Sequence, residues 1–243
     1  MMFPPVHPAL DAALIARAYL EPTAVQEAVL QPEAAGRDLL VSARTGSGKT
    51  VAFGLAAAAT LMPDGLIPPH GAPIALVIAP TRELALQVQA ELAWLYAGAR
   101  TVACVGGMDI RREQRSLQNG CHIVIGTPGR LGDHLRRANL DLSRLKVLVL
   151  DEADEMLDLG FQEELEFILQ AAPAERRTML FSATIPHDIA KLARKYQRDA
   201  LRIDTIDRAV PHDDIEYRAL LIAGHESEAA LSNARFASSG LWK

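Results

Sequence analysis

Short runs rich in valine, isoleucine and leucine recur along this chain, and they constrain its fold more than any other feature. Each run is bounded by glycine, proline or a polar turn, and most are separated by segments with helical spacing, such as residues 83–96 and 162–169. Nearly continuous apolar strands that alternate with helices are typical of a mostly parallel sheet covered by helices on both faces. We therefore predict an open α/β fold with strands in the runs DLLVSA, IALVIAP, RTVACVGG, CHIVIGTP, KVLVLDEAD, RTMLFSAT and ALRIDT.

Unusual polar or glycine-rich motifs lie at the end of most of these runs. In an open α/β sheet, ligands bind beyond the carboxyl ends of the strands. Motifs that follow successive strands are therefore expected to meet at one edge of the sheet. These motifs are ARTGSGKT, PTRELALQ, GG, TPGR, DEAD and SAT.

The motif ARTGSGKT at residues 43–50 resembles the phosphate-binding loop G-x-x-x-x-G-K-[ST], with Ala43 in place of the first glycine. A glycine-rich turn that opens a helix directs several backbone N–H groups into one concavity at the positive end of the helix dipole. Lys49 is expected to reach the terminal phosphates, and the hydroxyl of Thr50 to bind Mg²⁺. The competing interpretation is an ordinary strand-to-helix turn that happens to contain a lysine.

A pair of acids follows the run KVLVL, at the end of another predicted strand. The carboxylate of Asp151 can accept hydrogen bonds from metal-bound water, and Glu152 is placed to polarise an attacking water. Taken alone, two adjacent acids also fit a solvated strand end or a helix N-cap. The phosphate loop favours the catalytic interpretation.

Composition limits the partners and the location that the chain can have. The net charge of −5 argues against non-specific attraction to a polyanion, so nucleic-acid binding would have to rest on local groups. No apolar stretch is long enough for a membrane helix, and the N-terminus does not resemble a signal peptide. Cys104 and Cys121 lack metal-ligand spacing, which favours buried free thiols in a reducing compartment. We expect a cytoplasmic location and no membrane partner.

Seven motifs between Tyr19 and Thr184 resemble those of the DEAD-box ATP-dependent RNA helicases, in that family's order. They are PTAVQ, ARTGSGKT, PTRELALQ, GG, TPGR, DEADEMLDLGF and SAT. The resemblance implies a RecA-like P-loop NTPase domain that binds ATP and Mg²⁺ and binds RNA through its sugar-phosphate backbone.

The resemblance also implies a role for each residue of the nucleotide site. Gln26 would recognise adenine and Tyr19 would stack on the base, although Gln26 on the solvent face of a helix-entry turn is the alternative. Ala18 stands where the family usually has glycine. The implied cofactor-binding set is Tyr19, Gln26, Thr45, Gly46, Ser47, Gly48, Lys49 and Thr50; the catalytic set is Lys49, Asp151 and Glu152; and the metal set is Thr50 with Asp151 acting through water.

Two further groups of residues follow from the resemblance. Asp154 would couple the nucleotide site to the SAT segment through Ser182 and Thr184. The remaining motifs would contact RNA phosphates through backbone N–H groups, hydroxyls and arginines, although a structural ion pair competes with this role at each arginine. The implied RNA set is Pro80, Thr81, Arg82, Gly106, Gly107, Thr127, Pro128, Gly129 and Arg130.

The predicted organisation has three parts: an adenine-recognition (Q motif) segment at residues 1–30, a RecA-like domain at 31–207, and a linker with an incomplete second domain or tail at 208–243. A complete family member has a second RecA-like domain as its partner, but the arginine motif H-R-x-G-R-x-x-R is absent from this sequence. We expect an excised or truncated N-terminal domain that hydrolyses ATP poorly alone. The alternatives are a non-hydrolysing ATP- or RNA-binding regulatory module and a DNA-directed helicase domain.

Overall fold

The computed structural model describes Phe3 and residues 6–206, and its strands confirm the predicted α/β fold. Within these residues, parallel strands form one seven-stranded sheet in the order β3-β4-β2-β5-β6-β1-β7. The predicted segment 208–243 lies outside the described residues. The strands are β1 (Leu39–Ser42), β2 (Ala75–Ile78), β3 (Thr101–Cys104), β4 (Ile123–Gly126), β5 (Val147–Leu150), β6 (Arg177–Ser182) and β7 (Leu201–Asp204).

Burial along each strand follows its place in the sheet. Every residue of β2, β4, β5 and β6 is buried, as expected for strands covered on both faces. The edge strands β3 and β7 are only partly buried. The continuous apolar runs in the sequence therefore identify the interior of the sheet.

The helices of the described residues divide between the two faces of the sheet. Alternate strand residues point to opposite faces, so Val77 and Val149 join one hydrophobic cluster and Leu76 and Leu148 join the other. The first cluster packs against helices α1 to α4, and the second against α5 to α9. The helices are α1 (Pro8–Ala16), α2 (Ala24–Val29), α3 (Lys49–Leu61), α4 (Arg82–Leu95), α5 (Ile110–Gln118), α6 (Pro128–Arg136), α7 (Ala153–Asp158), α8 (Gln162–Ala171) and α9 (His187–Tyr196).

The predicted helices match the structure closely. The segment 83–96 forms α4 with Tyr96 as its C-cap, and the segment 162–169 forms α8, which runs two residues further. The proline- and glycine-rich segment 63–73 is a loop with one isolated bridge from Gly71 to Cys121. None of the helices described between residues 6 and 206 has the length and apolar character needed to cross a bilayer.

Candidate nucleotide and RNA site

The strand order divides the motif-bearing edge of the sheet into two halves. The GG, TPGR and PTRELALQ motifs follow β3, β4 and β2, which are neighbours. The DEAD motif, the SAT motif and the phosphate loop follow β5, β6 and β1, which are also neighbours. The proposed RNA contacts therefore lie side by side, next to the proposed nucleotide contacts.

The phosphate loop has the backbone geometry that its glycines allow. Gly46 and Gly48 adopt φ values of 81° and 86°, which side-chain-bearing residues rarely adopt. Gly48 caps the N-terminus of α3, and a Cβ atom at this position would lie 2.5 Å from Nε2 of Gln26. Glycine at position 48 thus allows both the turn and the close approach of Gln26.

Lys49 is held by a buried ion pair at the centre of the site. Its ammonium lies 2.7 Å from Oε2 of Glu152 and donates to the carbonyl of Ala43 at 3.2 Å. The other oxygen of Glu152 accepts from the Thr45 hydroxyl at 2.9 Å. A bound phosphate must therefore compete with Glu152 for the Lys49 ammonium.

Asp151 is a buried acid with acceptor capacity to spare. The only hydrogen bond that its carboxylate accepts in the described part of the chain comes from the N–H of Glu152, at 3.1 Å. Burial raises the pKa of its carboxyl to about 7, an effect opposed by the charge of Lys49 and reinforced by that of Glu152. An ionised carboxylate with so few hydrogen bonds is unfavourable in this buried environment. A cation, or a water molecule bound to a cation, could stabilise it.

Glu152 has an unusual backbone conformation. Its φ of 50° and ψ of 54° are left-handed, although it is not a glycine. Such a conformation costs about 1–3 kcal/mol and persists only where the surroundings impose it. Here it lets Glu152 serve as the N-cap of α7 while its side chain reaches Lys49 and Thr45.

The SAT segment is joined to both the DEAD motif and the phosphate loop. Asp154 accepts from the N–H and the hydroxyl of Thr184 at 2.8 and 2.7 Å, and its own N–H donates to the Ser182 hydroxyl at 3.1 Å. Partial burial disfavours the charge on Asp154, but hydrogen bonds from Thr184 and Ser182 leave its pKa below the usual value. The fully buried Ala43 extends the ladder by donating its N–H to the Ser182 carbonyl at 3.0 Å.

Gln26 is buried against the phosphate loop, so the alternative interpretation, in which it lies on the solvent face of a helix-entry turn, is wrong. It is 1% exposed, donates to the Gly48 carbonyl at 3.2 Å and accepts from the Thr23 N–H at 3.0 Å. One amide N–H and one oxygen lone pair remain, which is the pair that an adenine edge requires. Tyr19 is half-buried, with its ring centroid 5.5 Å from that of Trp94.

The remaining predicted nucleotide residues lie in or next to the same turn. The Ser47 hydroxyl donates to the Arg44 carbonyl at 2.7 Å and so stabilises the loop itself. Thr50 is half-buried in the first turn of α3.

The proposed RNA loops expose backbone groups and cross-link one another. Gly106, Gly107 and Gly129 are exposed, as RNA-facing amides must be. Arg82 donates to the Gly106 carbonyl at 3.3 Å, which ties the start of α4 to the GG loop. Thr81 caps α4 by accepting from the Leu84 N–H at 3.3 Å.

The TPGR motif forms the first turn of α6. Thr127 is the N-cap and Pro128 is buried in the first helical turn. Arg130 donates to the Met108 carbonyl at 3.3 Å and to Glu113 at 2.9 Å. The structural ion pair that competed with RNA binding is therefore present at Arg130, whereas none is found for Arg82 among the described residues.

Glu113 organises the half of the edge that carries the proposed RNA contacts, and the sequence analysis did not identify it. It is 3% exposed and accepts from the Val105 N–H at 3.1 Å, from Arg130 at 2.9 Å and from Nε2 of His134 at 2.7 Å. One carboxylate thus fixes both the GG loop and the TPGR arginine. The available signal was a single acid among the arginines of the segment IRREQRS.

Cys104 lies close enough to Glu113 and His134 for the three to resemble a metal site. The Arg130 guanidinium already neutralises Glu113, and burial raises the pKa of the Cys104 thiol well above its usual value. These contacts favour a structural polar cluster. Both cysteines are free and buried, as predicted.

Comparison with known proteins identifies the family. The model of the DEAD/DEAH box helicase family matches residues 23–192, which is more than half of the chain. The chain belongs to the DEAD/DEAH box helicase family. The matched region of this DEAD/DEAH box chain contains Gln26, the phosphate loop, the RNA loops and the acids described above.

Individual relatives agree with the family. The chain is 46% identical over 185 residues to the chloroplastic DEAD-box ATP-dependent RNA helicase 3A of Zea mays, covering 75% of this chain and 25% of the relative. It is 39% identical over 212 residues to the ATP-dependent RNA helicase DbpA of Bacillus subtilis, covering 86% of this chain and 43% of the relative. The chain thus spans less than half the length of these curated relatives.

A solved structure supports the RecA-like fold of this family. The DEAD box protein from the hyperthermophile Methanococcus jannaschii superposes with a TM-score of 0.75 at 32% identity, covering 94% of this chain and 61% of that chain. The RecA-like fold inferred from the motif resemblance is therefore confirmed. The roles of individual site residues remain predictions.

Proposed function

We propose that this chain is the ATP-binding N-terminal core domain of a DEAD-box RNA helicase, which couples ATP binding and hydrolysis to RNA binding and local duplex unwinding. The observation that carries the proposal is the division of the sheet edge into a phosphate-loop half and a half with exposed backbone amides. Asp154 supports the coupling because it joins the DEAD motif to the SAT segment.

The nucleotide half suits ATP with Mg²⁺. Left-handed Gly46 and Gly48 shape the turn, and no atom lies within 4 Å of a Cβ built at Gly46, which leaves space beside the loop. Asp151 has unused acceptor capacity and would hold the metal through water, while Thr50 would bind it directly. When bound, Mg²⁺ supplies neutralisation of charge on the phosphates.

Lys49 and Glu152 would have separate roles in ATP hydrolysis. Once phosphate replaces Glu152 as the partner of Lys49, the ammonium stabilises phosphate charge and the Glu152 carboxylate becomes free to orient water. Because Thr45 also bonds Glu152, its hydroxyl would be released in the same exchange. The buried ion pair is thus the resting arrangement of two groups that act separately on ATP.

The RNA half would bind the sugar-phosphate backbone without reading bases. Exposed amides at Gly106, Gly107 and Gly129 can donate to phosphate oxygens, and such donors are indifferent to sequence. Arg82 and Arg130 brace the loops through carbonyls, so their contribution combines charge with positioning. This explains how a chain of net charge −5 can bind a polyanion.

The isolated chain is expected to hydrolyse ATP slowly. Its sequence contains no H-R-x-G-R-x-x-R motif, which in this family comes from a second RecA-like domain. Arginines supplied across a cleft contribute about 10³-fold or more to turnover in phosphate-loop enzymes. We propose such a domain as the partner of this one, and the two free cysteines support a reducing location such as the cytoplasm.

Calorimetric titration of the chain with ADP and Mg²⁺, and with a single-stranded RNA oligonucleotide, tests the proposal. We expect Lys49→Ala to weaken ADP binding while leaving RNA binding in place. The matched exposed variant Lys191→Ala should affect neither. Failure of the wild-type chain to bind ADP would refute the nucleotide assignment, and tighter binding of DNA than RNA would favour a DNA-directed helicase.

A further inference from the structure

A row of cationic side chains lies at the edge of the sheet where the strands begin, opposite the edge that carries the motifs. The proposed nucleotide and RNA sites do not use these side chains. Lys146 immediately precedes β5, Arg176 immediately precedes β6, Arg37 lies just before β1, and Arg198 lies just before β7. The sheet order places β5, β6, β1 and β7 next to one another. Because neighbouring strands are about 4.8 Å apart, the four residues converge on one stretch of the edge.

These residues line a pocket of about 690 Å³, which we name the amino-edge pocket. Its charge contrasts with the negative charge of the whole chain. The cations outnumber the acids by five to three, since the pocket is lined by Arg37, Lys146, Arg176, Arg177 and Arg198 against Asp38, Glu175 and Asp199.

Arg176 is the least satisfied group of the pocket. It is 6% exposed, and its Nη1 donates to the carbonyls of Ala172 and Pro173 at 3.2 and 2.8 Å. Its Nε is buried without a hydrogen-bond partner in the described part of the chain. A buried cationic donor without an acceptor is unfavourable, and a bound anion beside the guanidinium would offset this cost through its charge.

The second buried guanidinium lacks a carboxylate partner as well. Arg177 donates to the carbonyls of Arg37 and Ala34 at 2.6 and 2.8 Å and to the carbonyl of Ala56. These contacts orient the group, and one carboxylate, that of Asp38, offsets the charges of both Arg176 and Arg177. Lys146 is exposed and forms no ion pair with any residue in the described ranges.

The three acids of the pocket neutralise its five cations only in part. Asp38 accepts from the N–H groups of Thr178 and Arg198, each at 2.7 Å, and its single charge is shared between Arg176 and Arg177. The side chains of Glu175 and Asp199 are 88% and 89% exposed where they pair with Arg198 and Arg37. Exposed ion pairs contribute about 0–1 kcal/mol, so an incoming anion can replace them.

We propose that the amino-edge pocket binds a small anion carrying two or more phosphate groups. Guanidinium groups match phosphate oxygens in geometry as well as charge, and several cations favour a multiply charged ligand. No aromatic side chain lines the pocket among the described residues, so a nucleic-acid base would find no surface on which to stack. The observations therefore favour a compact polyphosphate over a single-stranded nucleic acid.

The site would be independent of the phosphate loop. The phosphate loop follows the carboxyl end of β1, whereas Arg37 precedes its amino end. A strand of four to six residues separates the two edges by about 13–20 Å. Both sites can therefore be occupied at the same time.

Two-dimensional NMR of the ¹⁵N-labelled chain, titrated with inorganic pyrophosphate at constant ionic strength, tests the proposal. We expect saturable shifts of amides in residues 36–38, 175–177 and 198–199, in addition to any response of the phosphate loop. The double substitution Lys146→Ala/Arg198→Ala should raise Kd for the amino-edge pocket about tenfold. The response of Gly46 and Gly48 should not change.

A matched pair of exposed cations on α9 provides the control. Lys191→Ala/Arg194→Ala removes the same charge outside the pocket and should leave Kd unchanged. If both double variants weakened pyrophosphate binding equally, the effect would depend on net charge alone, and the proposal would be overturned. So would shifts confined to the phosphate loop, or tighter binding of single-stranded RNA than of pyrophosphate at the same amides.

Discussion

Replacing Asp151 with asparagine should stabilise the nucleotide-free protein at neutral and alkaline pH. The carboxyl has a pKa of 3.8 when exposed and of about 7 in the folded protein, because burial outweighs the attraction of Lys49. Between these values the folded protein holds a proton that the unfolded chain has lost. The wild-type free energy of unfolding therefore falls as pH rises through this window.

The magnitude follows from the part of this window that lies above about pH 5, where the measurement begins. Each pH unit contributes about 1.4 kcal/mol, so the two units between about pH 5 and pH 7 remove about 3 kcal/mol from the wild-type stability. Asparagine does not titrate and avoids this loss. The stability of Asp151→Asn relative to wild type should thus increase by about 3 kcal/mol from about pH 5 to pH 8, which corresponds to about 6–12 °C in Tm for a chain of this size.

Urea denaturation followed by circular dichroism, without nucleotide and with a chelator, measures this difference. Asp154→Asn is the matched control of opposite sign, because partial burial raises the pKa of Asp154 but the hydrogen bonds from Thr184 and Ser182 together lower it further, to below its usual value. Its carboxylate stabilises the fold above the unfolded pKa, and this stabilisation is lost as pH falls through the folded pKa. A stability difference for Asp151→Asn that stays constant with pH would refute the argument that burial dominates at Asp151.

Three further predictions concern binding. Glu152→Gln should abolish ATP turnover by a protein containing both RecA-like domains. The variant should bind ADP at least as tightly as the wild type, because Lys49 is released from its ion pair, and weaker ADP binding in calorimetry would contradict this. Gly48→Ala should reduce the preference for ADP over GDP by displacing Gln26, whereas Gly46→Ala, strained but uncrowded, should retain it in the same assay. Glu113→Gln should weaken RNA binding about tenfold in fluorescence anisotropy without changing ADP affinity, and the exposed Glu83→Gln should change neither.

The sequence predicted the sheet and the edge that carries the motifs because both depend on local patterns. Continuous apolar runs mark buried parallel strands, and the residues after each run must lie at the carboxyl edge. The order β3-β4-β2-β5-β6-β1-β7 is not local, since strands far apart in the sequence pair with each other, as β1 does with β6 and β7. The separation of the motifs into a proposed nucleotide half and a proposed RNA half therefore appeared only in the structure.

Residues that act through other residues were the hardest to predict. Glu113 has no motif of its own, and its role arises because α5 places it between Val105 and Arg130. The amino-edge pocket escaped notice for a related reason. Its cations are scattered in sequence from Arg37 to Arg198 and meet only through strand order.

The left-handed backbone of Glu152 has an evolutionary consequence. Glycine would adopt this conformation without the cost that glutamate incurs, but it would leave the buried Lys49 ammonium without a carboxylate partner. In a member of this family that has abandoned ATP hydrolysis, we expect the residues at positions 152 and 49 to change together, and a sequence that lacks both can serve as a marker of lost catalysis.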